Sequence, residues 1–345
     1  MNLKQSLFVA VTLGMISLVI WELYWRNQGL EPNIDDNKNL WANQRARLEN
    51  YDEKTVVFIG SSRILYDINL DIWENETGTN GIMLAAQGST PIPVMQDIVE
   101  NTDFNGTLVI GITPPLFFST INPKANFVQR SQSLVDYYYN RTYAQRLNHM
   151  LSVPLQKNLV FIRDGDESWD SDVDLKTLLK QVHWDERSGP RYPPFNNFEE
   201  ITLDRRMKMP EIMVKDTAYA NTIKKVWTTI LSGDNPPPDK ETTTNTFVDL
   251  AKKFQARGGN LILVRCPSSG LFKDIESKAF PRAQFWDPLV EKSGAKAYHY
   301  EDFPELTNLF LPEWSHLAAE DAEVFTRVII EAMKKDGVIT NLKSN

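Results

Sequence analysis

Short apolar runs recur between residues 55 and 300, and each is bounded by glycine or polar residues. Their apolarity is continuous rather than alternating, which is typical of strands covered on both faces. Helix-like stretches, such as 93–101 and 247–257, lie between them. The alternation predicts a three-layer, doubly wound α/β fold with a parallel central sheet. The predicted strands are 55–59, 81–86, 107–112, 260–266 and 295–300.

The spacing of these runs breaks after the third predicted strand. Residues 115–240 intervene there, far more than the dozen or so that a crossover connection needs. The pattern therefore predicts a large insertion at the carboxyl end of a central strand, where open α/β sheets bind ligands. The insertion is either a lid or substrate platform, or a structural decoration.

The amino-terminal segment has a different pattern. Residues 7–21 are apolar apart from one threonine and one serine, and 23–25 extend the run. About 20 such residues span a bilayer. A lysine precedes the run, aromatic residues end it, and no cleavage site with small residues follows. We predict an uncleaved transmembrane signal anchor at 1–26, a linker at 27–39 and a folded body at 40–340. Charge does not settle the orientation.

Composition removes several classes of function. The formal net charge of the 345 residues is −8, without the basic surface that nucleic-acid binding needs, so we expect no nucleic-acid partner. The single cysteine, Cys266, forms no intramolecular disulfide and is expected to be buried and inert. The four histidines lack the spacing of a zinc site. We therefore expect neither a metal nor a cofactor.

Two distant segments carry candidate chemistry. Ser62 directly follows the first predicted strand in Gly60-Ser61-Ser62, and His316 precedes the C-terminal helix with Glu313 three residues before it. A serine needs a nearby base to become a nucleophile, and a carboxylate can orient the histidine that serves as this base.

Each segment alone is a weak signal, because such turns are common and a lone histidine usually packs or caps. Both, however, are predicted at the carboxyl edge of one sheet. Together they indicate acyl-transfer chemistry, with Ser62, His316 and Glu313 as catalytic residues.

These blocks resemble the SGNH, or GDSL-like, hydrolase superfamily. The family's nucleophile block Gly-Asp-Ser appears here as Gly60-Ser61-Ser62, and Gly88 matches the glycine of its second block. Its last block, Asp-x-x-His, appears as Glu313-Trp314-Ser315-His316, where the longer glutamate can still orient the histidine. The resemblance implies a flavodoxin-like sheet and an oxyanion hole that uses the N–H groups of Ser62 and Gly88.

The third block departs from the family pattern, because Thr113 stands where the family has an asparagine that donates to the oxyanion. A threonine hydroxyl can also donate, but its reach is shorter. Arg63, Gln87 and Arg265 are candidates to replace this donor or to bind substrate, although an arginine at the end of a strand is more often a solvated charge or part of a structural ion pair. Trp314 either stacks on a sugar ring or shields the site.

Within the superfamily, the chain is most similar to membrane-anchored branches that include the D-alanyl-lipoteichoic acid transfer protein and alginate acetylation proteins. This resemblance implies a body on the periplasmic or outer side of the cytoplasmic membrane. It also implies an acyl group, acetyl first of all, on a cell-envelope glycan as substrate, and a multi-span membrane O-acyltransferase as partner.

We predict a serine-dependent acyltransferase or esterase of this kind. The alternative is a catalytically weak accessory protein that binds glycan or docks on the acyltransferase. A hydrolase of free lipids or small esters is a third interpretation. The sequence does not distinguish hydrolysis from transfer.

Overall fold

The computed structural model describes residues 2–119, 122–162, 198–233 and 237–339. Five parallel strands form the central sheet: β1 (Thr55–Ile59), β2 (Asn80–Met83), β3 (Thr107–Gly111), β6 (Asn260–Arg265) and β7 (Lys296–His299). Their order in the sheet is β2-β1-β3-β6-β7. This is the strand order of doubly wound, flavodoxin-like sheets, and it confirms the predicted fold class.

The predicted strand bounds need small corrections. β1 has the predicted limits, whereas β2 begins one residue earlier and ends three residues earlier than predicted. The chain after β2 still donates to its neighbour, from Leu84 N to the Phe58 carbonyl at 2.8 Å. Similarly, Ile112 N donates to the Val264 carbonyl at 2.9 Å beyond the end of β3. The apolar runs outlast the strands because the residues leaving the sheet remain buried.

Helices cover both faces of the sheet. They are α2 (Lys38–Arg47), α3 (Ser62–Asp67), α4 (Leu70–Thr77), α5 (Ile92–Asn101), α11 (Lys240–Ala256), α13 (Arg282–Ser293) and α14 (Ala319–Lys335); α12 (Gly270–Ala279) follows β6. Side chains such as Phe58, Val109 and Val264 pack on one face against α3, α4 and α14. Their neighbours Val57 and Leu263 pack on the opposite face against α2, α5, α11 and α13. α11 begins seven residues before the predicted start at 247, because Asp239 accepts a capping bond from Thr242 N.

A long insertion follows β3, as the spacing predicts. Its residues 163–197 lie outside the described part of the chain. On either side, helices and one short antiparallel hairpin pack on the body. These elements are α6 (Pro114–Phe117), α7 (Asn126–Asn140), α8 (Tyr143–Gln156), β4 (Glu200–Ile201), β5 (Met207–Lys208), α9 (Glu211–Lys215) and α10 (Thr217–Leu231).

The amino-terminal helix α1 (Leu3–Asn27) is long and apolar enough to cross a membrane, and none of its residues is buried in the protein. It ends where the linker was predicted to begin. α2 begins at Lys38, within the predicted linker 27–39, because the Asn37 side chain accepts from the N–H groups of Asn39 and Leu40.

Candidate active site

Ser62 is the first residue of α3 and is half-buried at the carboxyl end of β1. Ser61 caps this helix with its hydroxyl, which accepts from Arg63 N at 3.3 Å. The helix begins very close to β3, since a Cβ at Gly111 would lie 1.9 Å from Ile64 Cγ1. Glycine at position 111 therefore lets the turn that carries Ser62 sit directly on the sheet.

His316 lies in the turn between β7 and α14, with its side chain 1% exposed. Its Nε2 atom is 2.7 Å from Ser62 Oγ, and its Nδ1 atom is 2.9 Å from Glu313 Oε1. The same Glu313 oxygen also accepts from His316 N at 2.7 Å. With Nδ1–H donating to the carboxylate, Nε2 is left to accept the serine proton. The structure thus brings together the three residues that the sequence analysis singled out.

Three aromatic side chains surround the imidazole, and sequence reasoning missed all three. The rings of Tyr66, Phe198 and Trp227 have centroids 4.5, 5.6 and 6.3 Å from that of His316. The Trp227 indole N–H also donates to Glu313 Oε2. Phe198 and Trp227 belong to the insertion, so this segment forms part of the wall around the histidine.

The other two predicted oxyanion-hole residues, Gly88 and Thr113, lie in the loops that follow β2 and β3, the two strands next to β1. Gly88 lies in a loop with φ of +52°, and its carbonyl accepts from the Arg130 guanidinium of α7 at 3.1 Å. The Thr113 hydroxyl lies 2.6 Å from Ser61 Oγ, and either oxygen can be the donor. If Thr113 donates to Ser61, its hydroxyl proton is unavailable to an oxyanion; if Ser61 donates, that proton is free.

The two candidate arginines share one buried carboxylate. Glu276 of α12 binds Arg63 Nη2 at 2.7 Å and Arg265 Nη2 at 2.5 Å, and it accepts from the Ser268 hydroxyl at 2.6 Å. Burial alone would raise the pKa of Glu276, but the two guanidinium groups outweigh it and hold that pKa at about 2. Arg63 and Arg265 therefore form a buried ion-pair network with Glu276. Their role toward substrate stays a prediction.

The remaining two candidates are also engaged within the fold. Gln87 Nε2 donates to Glu199 Oε2 at 2.5 Å. Trp314 has a left-handed backbone with φ of +80°, which is rare for a bulky residue and typical of strained functional turns. Its half-buried ring packs against Gly270, and the Lys224 ammonium lies 5.4 Å from the ring centroid.

Asp67, at the end of α3, is a buried acid that the sequence analysis did not identify. Its Oδ1 accepts from Leu317 N at 2.9 Å, directly after the proposed base. Burial raises the pKa of Asp67 to about 8, although this N–H group and Arg63 oppose the shift. Burial thus favours the protonated form of this side chain.

The site lies where the strand order reverses, because β1 leads outward to β2 and the chain then returns to β3 on the other side of β1. Open α/β sheets bind their ligands at such points. Within the described residues, no cluster of three histidine, cysteine or acidic side chains is arranged to hold a metal ion.

Comparisons with known proteins add little to this geometry. Neither a protein-family profile nor a curated protein matches the chain. Among solved structures, a protein from Bacteroides fragilis described as a "putative acylhydrolase" is 13% identical, covers 88% of this chain and 99% of its own, and has a TM-score of 0.39. A match this distant carries no argument about activity, so the fold assignment rests on the sheet itself.

Proposed function

We propose that the protein is a membrane-anchored serine acyltransferase or esterase that acts on acyl groups, acetyl first of all, of a cell-envelope polysaccharide. The observation that carries the proposal is the chain of contacts from Ser62 Oγ through His316 to Glu313, at 2.7 and 2.9 Å. Such a chain turns a weak hydroxyl nucleophile into a reactive one.

In the first step, Ser62 Oγ attacks the acyl carbon while its proton moves to His316 Nε2. The resulting tetrahedral oxyanion accepts from the N–H groups of Ser62 and Gly88, and Glu313 stabilises the imidazolium. The bond to the leaving alcohol then breaks, and His316 returns its proton to that oxygen. Water or a sugar hydroxyl next attacks the acyl-enzyme, with His316 again accepting and returning one proton.

The substrate class rests on two arguments. The apolar helix α1 supports an anchor in the cytoplasmic membrane, and the resemblance to anchored SGNH branches supports an acylated envelope glycan and an outward-facing body. The same resemblance supports a multi-span membrane O-acyltransferase as partner. The reaction needs no cofactor, because each proton and bond is accounted for by the serine, the histidine and the two alcohols.

One observation favours the alternative of a catalytically weak accessory protein. The Thr113 hydroxyl, which stands where the family has an asparagine, is hydrogen-bonded to Ser61, and when Thr113 is the donor in that bond it has no proton left for an oxyanion. Loss of one oxyanion donor lowers enzyme rates by roughly 10²- to 10³-fold. A protein that binds glycan, or docks on the acyltransferase, would tolerate that loss.

The deciding experiment treats the full-length protein in detergent with a fluorophosphonate probe and maps the modified residue by mass spectrometry. We expect labelling of Ser62, none in Ser62→Ala, and a rate at least about 100-fold lower in His316→Ala. His299→Ala is the matched control, because His299 is also buried but caps the turn after β7 through Glu301 N. Absence of labelling in folded wild-type protein would favour the accessory role.

Substrate class is tested separately with an O-acetylated bacterial polysaccharide. We expect the full-length protein, but not Ser62→Ala, to release acetate or to move it onto an added glycan acceptor, and NMR distinguishes the two products. Labelling of Ser62 without any reaction on acetylated glycans would retain the nucleophile and reject this substrate.

A further inference from the structure

Helix α8 turns polar side chains toward the protein and apolar side chains toward its surroundings, the opposite of a helix on a water-soluble body. Its buried residues are His149 and Gln156, and the latter donates to Asp35 at 2.5 Å. Apart from Val153, which packs partly buried against the core, its large apolar side chains point outward, each more than half exposed: Tyr143 (89%), Leu147 (51%), Met150 (62%), Leu151 (60%) and Leu155 (51%). A surface helix normally buries such a stripe against the core.

The outward side chains form one continuous surface. With 3.6 residues per turn, they occupy an arc of roughly 140° on α8, and the other two residues in that arc, Ala144 and Pro154, are apolar as well. Contiguous exposed apolar surface of this kind marks a site of contact with a membrane or another molecule.

The end of α8 is fastened to the end of the proposed anchor. Glu22 of α1 accepts from Val160 N at 2.8 Å and from Phe161 N at 3.1 Å. Arg26, one turn further along α1, donates to the Asn158 carbonyl at 2.9 Å. These contacts hold the segment directly after α8 beside the aromatic end of α1, where the helix would leave the bilayer.

The charge of this region fits a lipid surface. Residues 141–162 contain Arg141, Arg146 and Lys157 and no acidic residue, although the whole chain has a net charge of −8. Basic groups beside an apolar helical face are typical of helices that lie in the interface of a membrane with anionic lipids.

We propose that α8 lies in the interface of the membrane that holds α1, with its outward face from Tyr143 to Leu155 among the lipids. The body then contacts the bilayer at two elements, which fixes its orientation above the surface. This proposal rests on anchoring by α1 and is independent of the chemistry of Ser62.

The test places a nitroxide spin label on single introduced cysteines of the full-length protein in bilayers containing anionic lipid. Leu151→Cys and Leu147→Cys report on α8, Leu13→Cys on the middle of α1, and Lys292→Cys on exposed α13 beside β7, the far edge of the sheet. Native Cys266 is 2% exposed, and wild-type protein measures its background. The readout is label accessibility to oxygen, which partitions into lipid, relative to a water-soluble nickel chelate.

We expect the ratio of oxygen to nickel accessibility at 147 and 151 to shift well above that at 292, toward the value at 13. A ratio at 151 equal to that at 292 would place α8 in water and overturn the proposal. Exclusion of both reagents at 151 would also overturn it, because a protein surface would then cover the face. A low ratio at 13 would overturn the proposal by removing its premise, membrane insertion of α1.

Discussion

Glu313 is held from both sides, by His316 and by the Trp227 indole N–H. Trp227→Phe leaves a buried carboxylate oxygen without its donor, which costs about 1.5–3 kcal/mol for a charged group. If this free energy is lost from the arrangement of Ser62, His316 and Glu313 in which the serine reacts, the maximal rate of fluorophosphonate labelling at Ser62 drops by about 10- to 100-fold. The affinity for the probe stays unchanged. Inactivation kinetics at several probe concentrations separate the two quantities.

The control for this variant is Trp73→Phe. Trp73 lies on α4, and its buried indole N–H donates to the Thr79 hydroxyl at 2.8 Å instead of to Glu313. We expect Trp73→Phe to lower stability without changing the labelling rate. Equal labelling rates in the two variants would show that the bond to Glu313 does not support reactivity.

Gly270 supports the strained turn at Trp314. A Cβ at position 270 would lie 2.5 Å from the Trp314 ring, so Gly270→Ala must displace the residue next to Glu313. We expect slower labelling of Ser62 together with a loss of about 1 kcal/mol or more in stability. Labelling kinetics and chemical denaturation measure the two effects.

Gly294→Ala isolates the backbone cost. Gly294 also has a left-handed φ, of +64°, but nothing lies within 4 Å of its Cβ position. This variant should lose a similar amount of stability from its left-handed backbone and keep the wild-type labelling rate. A slower rate in Gly294→Ala would indicate that general destabilisation, and not the contact with Trp314, controls reactivity.

Glu276 joins three elements, because its carboxylate binds one arginine from α3 and one from β6 while itself lying on α12. Glu276→Gln leaves two buried guanidinium groups without a counter-charge. Breaking a buried pair in this way costs about 3–5 kcal/mol. Chemical denaturation should show that loss, whereas Glu291→Gln on the exposed side of α13 should change stability by less than about 0.5 kcal/mol. A small effect at Glu276 would mean that water reaches the cluster.

The apolar runs predicted the strands and the doubly wound fold well, because continuous burial of both sheet faces leaves a local pattern. The same reasoning placed Ser62 and His316 at one edge of the sheet, where they meet. Trp227 left no such signal, since its contact with Glu313 depends on how the insertion folds back over the body. Asp67 and the pairing of the arginines with Glu276 were equally hidden, because partners of buried charges are set by tertiary packing.

The buried acid Asp67 should give the whole protein an unusual dependence of stability on pH. Its pKa of about 8 in the folded state compares with about 3.9 in an unfolded chain. Between these values the folded state keeps a proton that the unfolded state releases, so this group lowers the free energy of unfolding as pH rises from about 4 to about 8. Its contribution is complete below pH 4 and lost above pH 8.

Comparison with Asp67→Asn isolates this contribution, because the amide oxygen can still accept from Leu317 N. Urea denaturation at about pH 5 and about pH 7 should show that wild type loses more stability than the variant over this interval, by up to about 1.4 kcal/mol per pH unit. Glu276, with a pKa of about 2, stays ionised throughout the interval. Parallel pH dependences would show that Asp67 is ionised in the folded protein.

The contact between Ser62 and His316 joins residues 254 positions apart. A ribosome adds about 5–20 residues per second, so the serine is made roughly 13–50 s before the histidine that contacts it. During that time Ser62 lacks the residue that we propose as its base. The proposed site can therefore form only after the turn before α14 has been synthesised, when almost all of the folded body already exists as chain.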